Sequence, residues 1–358
     1  MQLQENIPLA PLTTFRLGGP ARFFVEAASA ADVQQAVAVA ESKSLPLFVL
    51  GGGSNLVVSD SGWPGLVLKV AIAGIERRPA EEDGKAIFDA GAGESWDRFV
   101  SQAVMARCAG VECLSGIPGS VGGTPVQNIG AYGQEVSQTI ASVEVFDRKD
   151  GQIRELCREA CGFTYRASIF NTSENTSERG RFIILRVAYA LTPGGEAHLE
   201  YADLQRHFEG RETRPNLAET REAVRHIRAR KGMLIVANNV PGDPDCQSAG
   251  SFFKNPVLTE QQHADLNQRA AAKGFTVPSY PALEKNHKVS AAWLVEKSGF
   301  ARGYGFGHVG ISTKHALAIV NRGGATAAEV LALKDQIQQR VEEIWAVHLE
   351  PEPVMVGF

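Results

Sequence analysis

The chain has 358 residues, of which 44% are hydrophobic and 21% charged, and its formal net charge is −4. This length exceeds what one ordinary hydrophobic core holds, so two or three domains are expected. The near-neutral charge argues against a nucleic-acid or membrane partner. Five cysteines, too sparse for a zinc set, predict a reducing compartment and no metal site. The N-terminus lacks a signal-peptide pattern, so we expect a cytoplasmic protein.

The N-terminal part alternates strand and helix signals. A strand is predicted at 22–26, and Ser29 is an N-cap candidate for an Ala-rich helix over 31–41. Apolar runs at 47–50 and 66–70 predict two more strands. The order is that of a βαβ unit with glycines directly after its second strand.

The rest of the chain mixes strands and helices without an internal repeat. The predicted strands are 86–90, 142–147 and 182–191, and the predicted helices are 95–106 (capped by Ser95), 213–228 and 326–345. The last helix carries an apolar stripe of Val330, Leu333, Ile337, Val341 and Ile344. A polar loop at 238–248 opens the final domain.

Two glycine-rich stretches are candidate ligand loops. The first, GGGSN at 51–55, could cradle phosphate oxygens with its backbone N–H groups, although a tight turn explains it equally well. The second, at 110–135, reads GVECLSGIPGSVGGTPVQNIGAYGQE and adds hydroxyl and amide side chains to its glycines. Such loops are costly to order unless something fills them. Together they predict an extended ligand with a pyrophosphate.

The strings IPGSVGGTPVQNIGAYG and GGGSN resemble those of the UDP-N-acetylenolpyruvoylglucosamine reductases, and are similar to the FAD loops of vanillyl-alcohol-oxidase-type flavoproteins. The resemblance implies an α+β fold with three domains. Two α+β subdomains, 1–72 and 73–222, form a PCMH-type FAD-binding module, and 223–358 form an α+β substrate-binding domain. The first loop has no His or Cys, so non-covalent FAD is implied. The implied FAD-binding residues are Gly51, Gly52, Gly53, Ser54, Asn55, Pro118, Gly119, Ser120, Gly123, Thr124, Gln127, Asn128 and Tyr132.

Three further segments match that family. In CGFTYRASIF, at 161–170, an extended backbone would place Arg166 opposite Tyr165, and its guanidinium suits a carboxylate or a structural ion pair. Ser251 lies in GSFFKNP, where a lone serine is ordinarily a turn residue. Glu352 follows the last helix in LEPEP, where carboxylates are ordinarily solvated.

The resemblance gives these residues roles. NADPH would reduce the FAD, and the flavin would then reduce UDP-N-acetylglucosamine-enolpyruvate to UDP-N-acetylmuramate, a peptidoglycan precursor. Ser251 would donate the proton, while Arg166 and Glu352 would stabilise the enolate. The implied substrate-binding residues are Tyr165, Tyr201, Lys231, Asn255 and His315. We expect a monomer with a small-molecule substrate and no nucleic-acid or membrane partner.

Two alternatives stay open on the residues: an FAD-dependent oxidase of another sugar or alcohol, and a non-catalytic nucleotide-binding descendant. The presence of Arg166, Ser251 and Glu352 argues against both. The chain departs from the family pattern in a longer loop at 232–250, in Gly-Met after Lys231, and in Pro-Val after Glu352.

Overall fold

A computed structural model describes residues 1–80, 84–172, 180–235, 243–282 and 285–358, so 238–242 of the predicted polar loop lie outside the described residues. The helices are Ala30–Ser42 (α1), Trp96–Met105 (α2), Ala202–His207 (α3), Leu217–Arg230 (α4), Glu260–Ala271 (α5), Ala291–Lys297 (α6) and Ala327–Trp345 (α7). The strands are Gln4–Pro8 (β1), Pro20–Ala27 (β2), Leu47–Leu50 (β3), Leu56–Val58 (β4), Trp63–Val70 (β5), Ile75–Ala80 (β6), Ala86–Gly91 (β7), Cys108–Ala109 (β8), Gly130–Ala131 (β9), Gln134–Glu135 (β10), Ile140–Asp147 (β11), Gln152–Cys157 (β12), Phe182–Pro193 (β13), Val257–Leu258 (β14), Ser279–Pro281 (β15), His287–Val289 (β16), Gly305–Phe306 (β17), Val309–Ile311 (β18), Ile319–Asn321 (β19) and Val354–Val356 (β20).

These residues form two compact units. The first comprises Met1–Ile7, Ala21–Gly53 and Trp63–Arg230, and the second Pro8–Pro20, Ser54–Gly62 and Lys231–Phe358. The mixed α+β class is confirmed, and the domain boundaries at 72/73 and 222/223 stay a prediction. Within the part of the chain that the structure describes, no helix is long and apolar enough to cross a membrane.

The predicted βαβ unit is present in the first unit. Its sheet has the order β1-β2-β5-β3, with β2 and β3 both parallel to β5. Helix α1 connects β2 to β3, and the Ser29 hydroxyl accepts a hydrogen bond from Asp32 N at 3.2 Å, as the N-cap prediction requires. The first glycine-rich loop, starting at Gly51, follows directly after β3.

A second sheet in the same unit has the order β12-β11-β13-β7-β6 and is antiparallel. Phe99 of α2 packs against both Trp96 and Tyr189, with ring centroids 5.2 and 4.4 Å away, and these two rings also contact each other at 5.7 Å. Helix α4 starts at Leu217 rather than at the predicted 213, because Pro215 interrupts the start and the Asn216 side chain caps Glu219 N.

The core of the second unit is built on α7. The predicted N-terminus is confirmed, since Thr326 and Glu329 form a capping box. The buried stripe runs as predicted up to Val341 and then includes Trp345, while Ile344 is only half-buried. In the same unit β20 runs parallel to β4.

Candidate active site

Gly51 and Gly52 of the first glycine-rich loop contact the second loop within the first unit. A Cβ added to Gly52 would lie 2.4 Å from Gly119 Cα, and one added to Gly51 would lie 2.9 Å from Ser120 Oγ. Gly119 has φ +124°, a conformation that favours glycine. Glycine at position 52 is therefore required by the approach of the second loop.

The second loop is anchored to the end of β7 and the start of α2. Val121 N donates to Glu94 O, Gly122 N to Ala92 O, and Trp96 N to Gly119 O, at 2.8 to 3.1 Å. Ser120 Oγ is buried and has no hydrogen-bond partner among the described residues. A buried hydroxyl of this kind costs about 1–3 kcal/mol unless a ligand satisfies it.

Farther along this loop, the polar side chains serve the protein itself. Thr124 Oγ1 and the Tyr189 hydroxyl are 2.7 Å apart, and burial raises the pKa of Tyr189, so the phenol stays neutral. Asn128, in a left-handed conformation at φ +44°, uses its whole side-chain amide. Its Nδ2 donates to Glu135 and to Thr164 O, and its Oδ1 accepts from Ser137 N, at 3.0 to 3.1 Å. Pro118, Gly123 and Gln127 are half-buried in the same loop.

Arg166 lies in a turn, so the predicted extended segment is wrong. Thr164 and Ala167 form an antiparallel bridge around Tyr165 and Arg166, and Arg166 has φ +57°. Two long-range contacts hold the turn on the second glycine loop: Thr164 O accepts from Asn128 Nδ2, and Ser168 Oγ donates to Val126 O at 2.6 Å. These tertiary hydrogen bonds therefore favour a turn over the extended backbone that the alternating side chains of 161–170 predicted.

The Arg166 guanidinium is held at the same loop. It donates to Gly130 O at 2.7 Å and to Asn128 O at 3.4 Å, and it lies 5.4 Å from the ring centroid of the exposed Tyr165. A cation is thus placed beside the second glycine loop by backbone carbonyl groups.

Tyr201 is the N-cap residue of α3 and is exposed. Its ring meets the buried Tyr132 edge-on, with centroids 5.4 Å apart. The structure therefore brings a predicted substrate residue and a predicted cofactor residue together in the first unit.

In the second unit, Ser54 and Asn55 are joined to other predicted segments. Asn55 Nδ2 donates to Glu352 O at 3.2 Å, and Val354 N donates to Asn55 O. Thr14 Oγ1 donates to Ser248 O at 2.7 Å and contacts Ser54 O at 3.3 Å. The end of the first loop is thereby fixed to the segments that carry Glu352 and Ser251.

Ser251 and Glu352 lie on paired backbone segments. Phe253 and Pro351 form an antiparallel bridge, and Glu352 N donates to Phe252 O at 2.9 Å. Phe252 and Phe253 are fully buried, while Ser251 is half-buried, so the aromatic pair fixes the backbone that presents the serine. Gly250, at φ +77°, supplies the preceding turn.

The remaining predicted substrate residues lie in the same unit. Asn255 Oδ1 accepts from Ala291 N, the first residue of α6, at 2.9 Å. His315 Nδ1 accepts from Leu317 N at 3.2 Å, and Leu317 O accepts from Phe252 N beside Ser251. Lys231 follows α4 directly and is half-buried.

Two carboxylates, one within the second loop and one that binds it, were missed by sequence reasoning. Glu112 is fully buried and accepts from Gly110 N, Gln134 Nε2 and His198 N at 2.8 to 2.9 Å. Asp97 accepts from Gly116 N at 2.6 Å. A carboxylate next to a glycine loop carries no local signal, because its backbone partners are known only once the chain has folded.

Comparisons with known proteins show the family of the chain. Residues 21–156 match the model described as an FAD binding domain, and residues 243–356 match that of the UDP-N-acetylenolpyruvoylglucosamine reductase C-terminal domain. The reductase of that name from Thermobifida fusca is 43% identical over 99% of this chain and 98% of its own. The one from Streptomyces coelicolor is 45% identical over 100% and 91%. The chain belongs to the UDP-N-acetylenolpyruvoylglucosamine reductase family. A crystal structure of the reductase from Thermus caldophilus, 27% identical, superposes with a TM-score of 0.65 over 99% of both chains.

As a member of this reductase family, the chain is an FAD-containing oxidoreductase. Its first unit fits that cofactor in two respects: glycine at position 52 lets the two loops approach each other where a Cβ would collide with Gly119, and the Ser120 hydroxyl lacks a protein partner among the described residues. A phosphate-bearing ligand with many acceptor oxygens suits both features.

Proposed function

We propose that the protein reduces UDP-N-acetylglucosamine-enolpyruvate to UDP-N-acetylmuramate with NADPH as the reductant. The observation that carries the proposal is the pairing of the Ser251 and Glu352 segments, which places a hydroxyl and a carboxyl group on adjacent backbones. The names of the relatives support the same reaction.

The cofactor would be held by the implied residues of the two glycine loops. When bound, FAD supplies the hydride chemistry between NADPH and the CH2 carbon of the enolpyruvyl group. Ser120 would donate its buried hydroxyl to this ligand, and Gly51 and Gly52 would let the second loop approach the first closely enough for both to contact it. Thr124 and Asn128 would shape the loop, because their side chains are bonded within the protein.

Arg166 would bind the enolpyruvyl carboxylate. Hydride addition places negative charge on that carboxylate, and a guanidinium already fixed by Gly130 O and Asn128 O needs little reorganisation to stabilise it. Glu352, in its protonated form, would donate a second hydrogen bond to the same developing charge.

Ser251 would protonate the carbon next to the carboxylate. A serine hydroxyl is a weak acid, so it acts only on a strongly basic carbanion and from a fixed position. The buried Phe252 and Phe253 and their pairing with the Glu352 segment supply that fixed position.

The UDP-sugar contacts are proposed for Tyr165, Tyr201, Lys231, Asn255 and His315. The two tyrosines are exposed, as groups that pack on a ligand need to be. Lys231 would bind phosphate, while Asn255 and His315 would contact the UDP-sugar. The cytoplasmic location and the monomeric state stay predictions.

Ser251→Ala tests the proposal. We expect NADPH to bleach the flavin absorption band at the wild-type rate, and the recovery of that band with the enolpyruvyl substrate to slow about 100-fold or more. Ser298→Ala is the matched control: this buried serine of the same unit bonds Leu294 O and Trp345 Nε1, so its loss lowers stability and leaves both rates unchanged. Normal recovery in Ser251→Ala would show that the serine is not the acid.

A further inference from the structure

Gly116, in the second glycine loop and three residues before Gly119, has both of its backbone polar groups bound by side chains. Its N–H donates to Asp97 Oδ1 at 2.6 Å, and its carbonyl accepts from Arg228 Nε at 2.9 Å. Gly116 is buried and has φ +69°. Two side chains from different helices therefore hold this residue in a backbone conformation that only glycine adopts readily.

Asp97 is itself held by two arginines of α4. Arg221 binds both of its oxygens, at 2.7 and 2.8 Å, and Arg225 binds Oδ2 at 2.9 Å. Arg221, Arg225 and Arg228 share one face of the helix, since they are spaced by four and three residues. Helix α4 thus presents a row of guanidinium groups to Asp97 and to Gly116.

The surroundings of Asp97 favour its ionised form. Burial raises its pKa, but the hydrogen bonds from Arg221 and Gly116 and the charges of Arg221 and Arg225 outweigh that effect and hold the pKa below its usual value. The carboxylate therefore stays ionised at neutral pH, and it can serve Gly116 and both arginines at once.

The position of Gly116 sets the path of the loop that follows. Gly119, three residues on, contacts Gly52 of the first loop, and Ser120 carries the buried hydroxyl that lacks a protein partner in the described chain. A glycine-rich loop has much conformational freedom to lose when a ligand binds. Fixing Gly116 in advance lowers that cost.

We propose that Asp97, braced by Arg221 and Arg225, and Arg228 form a clamp on Gly116 that preorganises the second glycine loop and thereby sets the affinity for FAD. Asp97 is a positioning residue: it acts on the cofactor through Gly116. The proposal concerns only FAD binding, so it does not depend on which substrate the enzyme reduces.

The chain offers a matched control in Asp147. This buried carboxylate of the same unit also binds two arginines and one backbone N–H: Arg154 at 2.7 Å, Arg181 at 2.7 and 2.8 Å, and Lys149 N at 3.0 Å. It ends β11, and none of these partners belongs to a glycine loop. Its loss therefore reports what breaking such a cluster does to stability alone.

The experiment compares Asp97→Asn with Asp147→Asn in the full chain. Each apoprotein is titrated with FAD, with quenching of flavin fluorescence as the signal, and the melting temperature of the apoprotein is measured in parallel. Asn at 97 keeps an oxygen for Gly116 N but turns its amide N–H groups towards the arginines. We expect the FAD Kd of Asp97→Asn to rise about tenfold or more, since an unpaired buried donor costs enough for such a change. Asp147→Asn lowers the melting temperature and changes the Kd by less than about twofold.

An unchanged Kd in Asp97→Asn, or equal Kd changes in both variants, would overturn the proposal. Arg225→Met is the second variant if Asp97→Asn does not fold, and its Kd is expected to rise about threefold because one of the two braces is lost. An unchanged Kd in Arg225→Met then overturns the clamp. A protein that shows these Kd changes but does not reduce the enolpyruvyl substrate would refute the proposed function and leave the clamp intact.

Discussion

Replacing Gly52 by alanine tests whether the contact between the two glycine loops controls cofactor binding. The added carbon would lie 2.4 Å from Gly119 Cα, 2.6 Å from Gly119 C and 2.7 Å from Ser120 N. All three are backbone atoms, so no side chain can rotate away. The loops must move apart.

The size of the effect follows from the overlap. Carbon atoms in contact are about 3.5–4.0 Å apart, so the loops separate by roughly 1 Å. Overpacking of this kind costs about 1–3 kcal/mol. In the FAD complex both loops must close on one ligand, so this cost opposes binding. The Kd for FAD therefore rises about 5-fold to 150-fold.

The assay is the same FAD titration of the apoprotein, with Gly65→Ala as the control. A Cβ at Gly65 would lie 1.9 Å from Pro46 O, which is also a backbone clash in the first unit but outside the glycine loops. We expect Gly65→Ala to lower the melting temperature and to leave the Kd unchanged in the folded protein. A wild-type Kd in Gly52→Ala would refute the reasoning, because the loop contact would then have no part in binding FAD.

Two further predictions concern stability. Asn128→Ala should lower the free energy of unfolding by about 2–4 kcal/mol in urea denaturation, because it leaves Ser137 N unpaired, removes one of the two donors to Thr164 O and puts alanine at φ +44°; a loss below 1 kcal/mol would contradict this. The arginines around Asp147 and Lys149 N lower the pKa of Asp147 from 3.8 to about 2, against the effect of burial. Its stabilising contribution is therefore complete above pH 4 and lost as the pH falls towards 2, so Asp147→Asn should show a flatter decline of unfolding free energy over that range. Equal slopes would disprove it.

Much of the architecture could be predicted because its signals are local. Ser29 with the Ala-rich run after it, and Thr326 with Glu329, each place a helix start within a few residues. Local signals were insufficient at α4. The charged run predicted a helix start at 213, but Pro215 interrupts the helix there and α4 begins at Leu217. The glycine loops were recognisable for the same local reason, since their composition is too costly to order without a ligand.

What the sequence determined by itself is therefore the helices α1, α2, α4 and α7, the strands β2, β3, β5, β7, β11 and β13, the two loops and, through the family resemblance, a set of candidate residues. Tertiary structure decided which of them meet: Arg166 lies in a left-handed turn because Asn128 and Val126 bind its neighbours, and Glu352 pairs with the segment of Ser251. It alone shows that Asp97 binds Gly116. The physical reason is that a helix cap or an apolar stripe is read by residues a few positions apart, whereas a hydrogen bond between distant segments depends on how the whole chain folds.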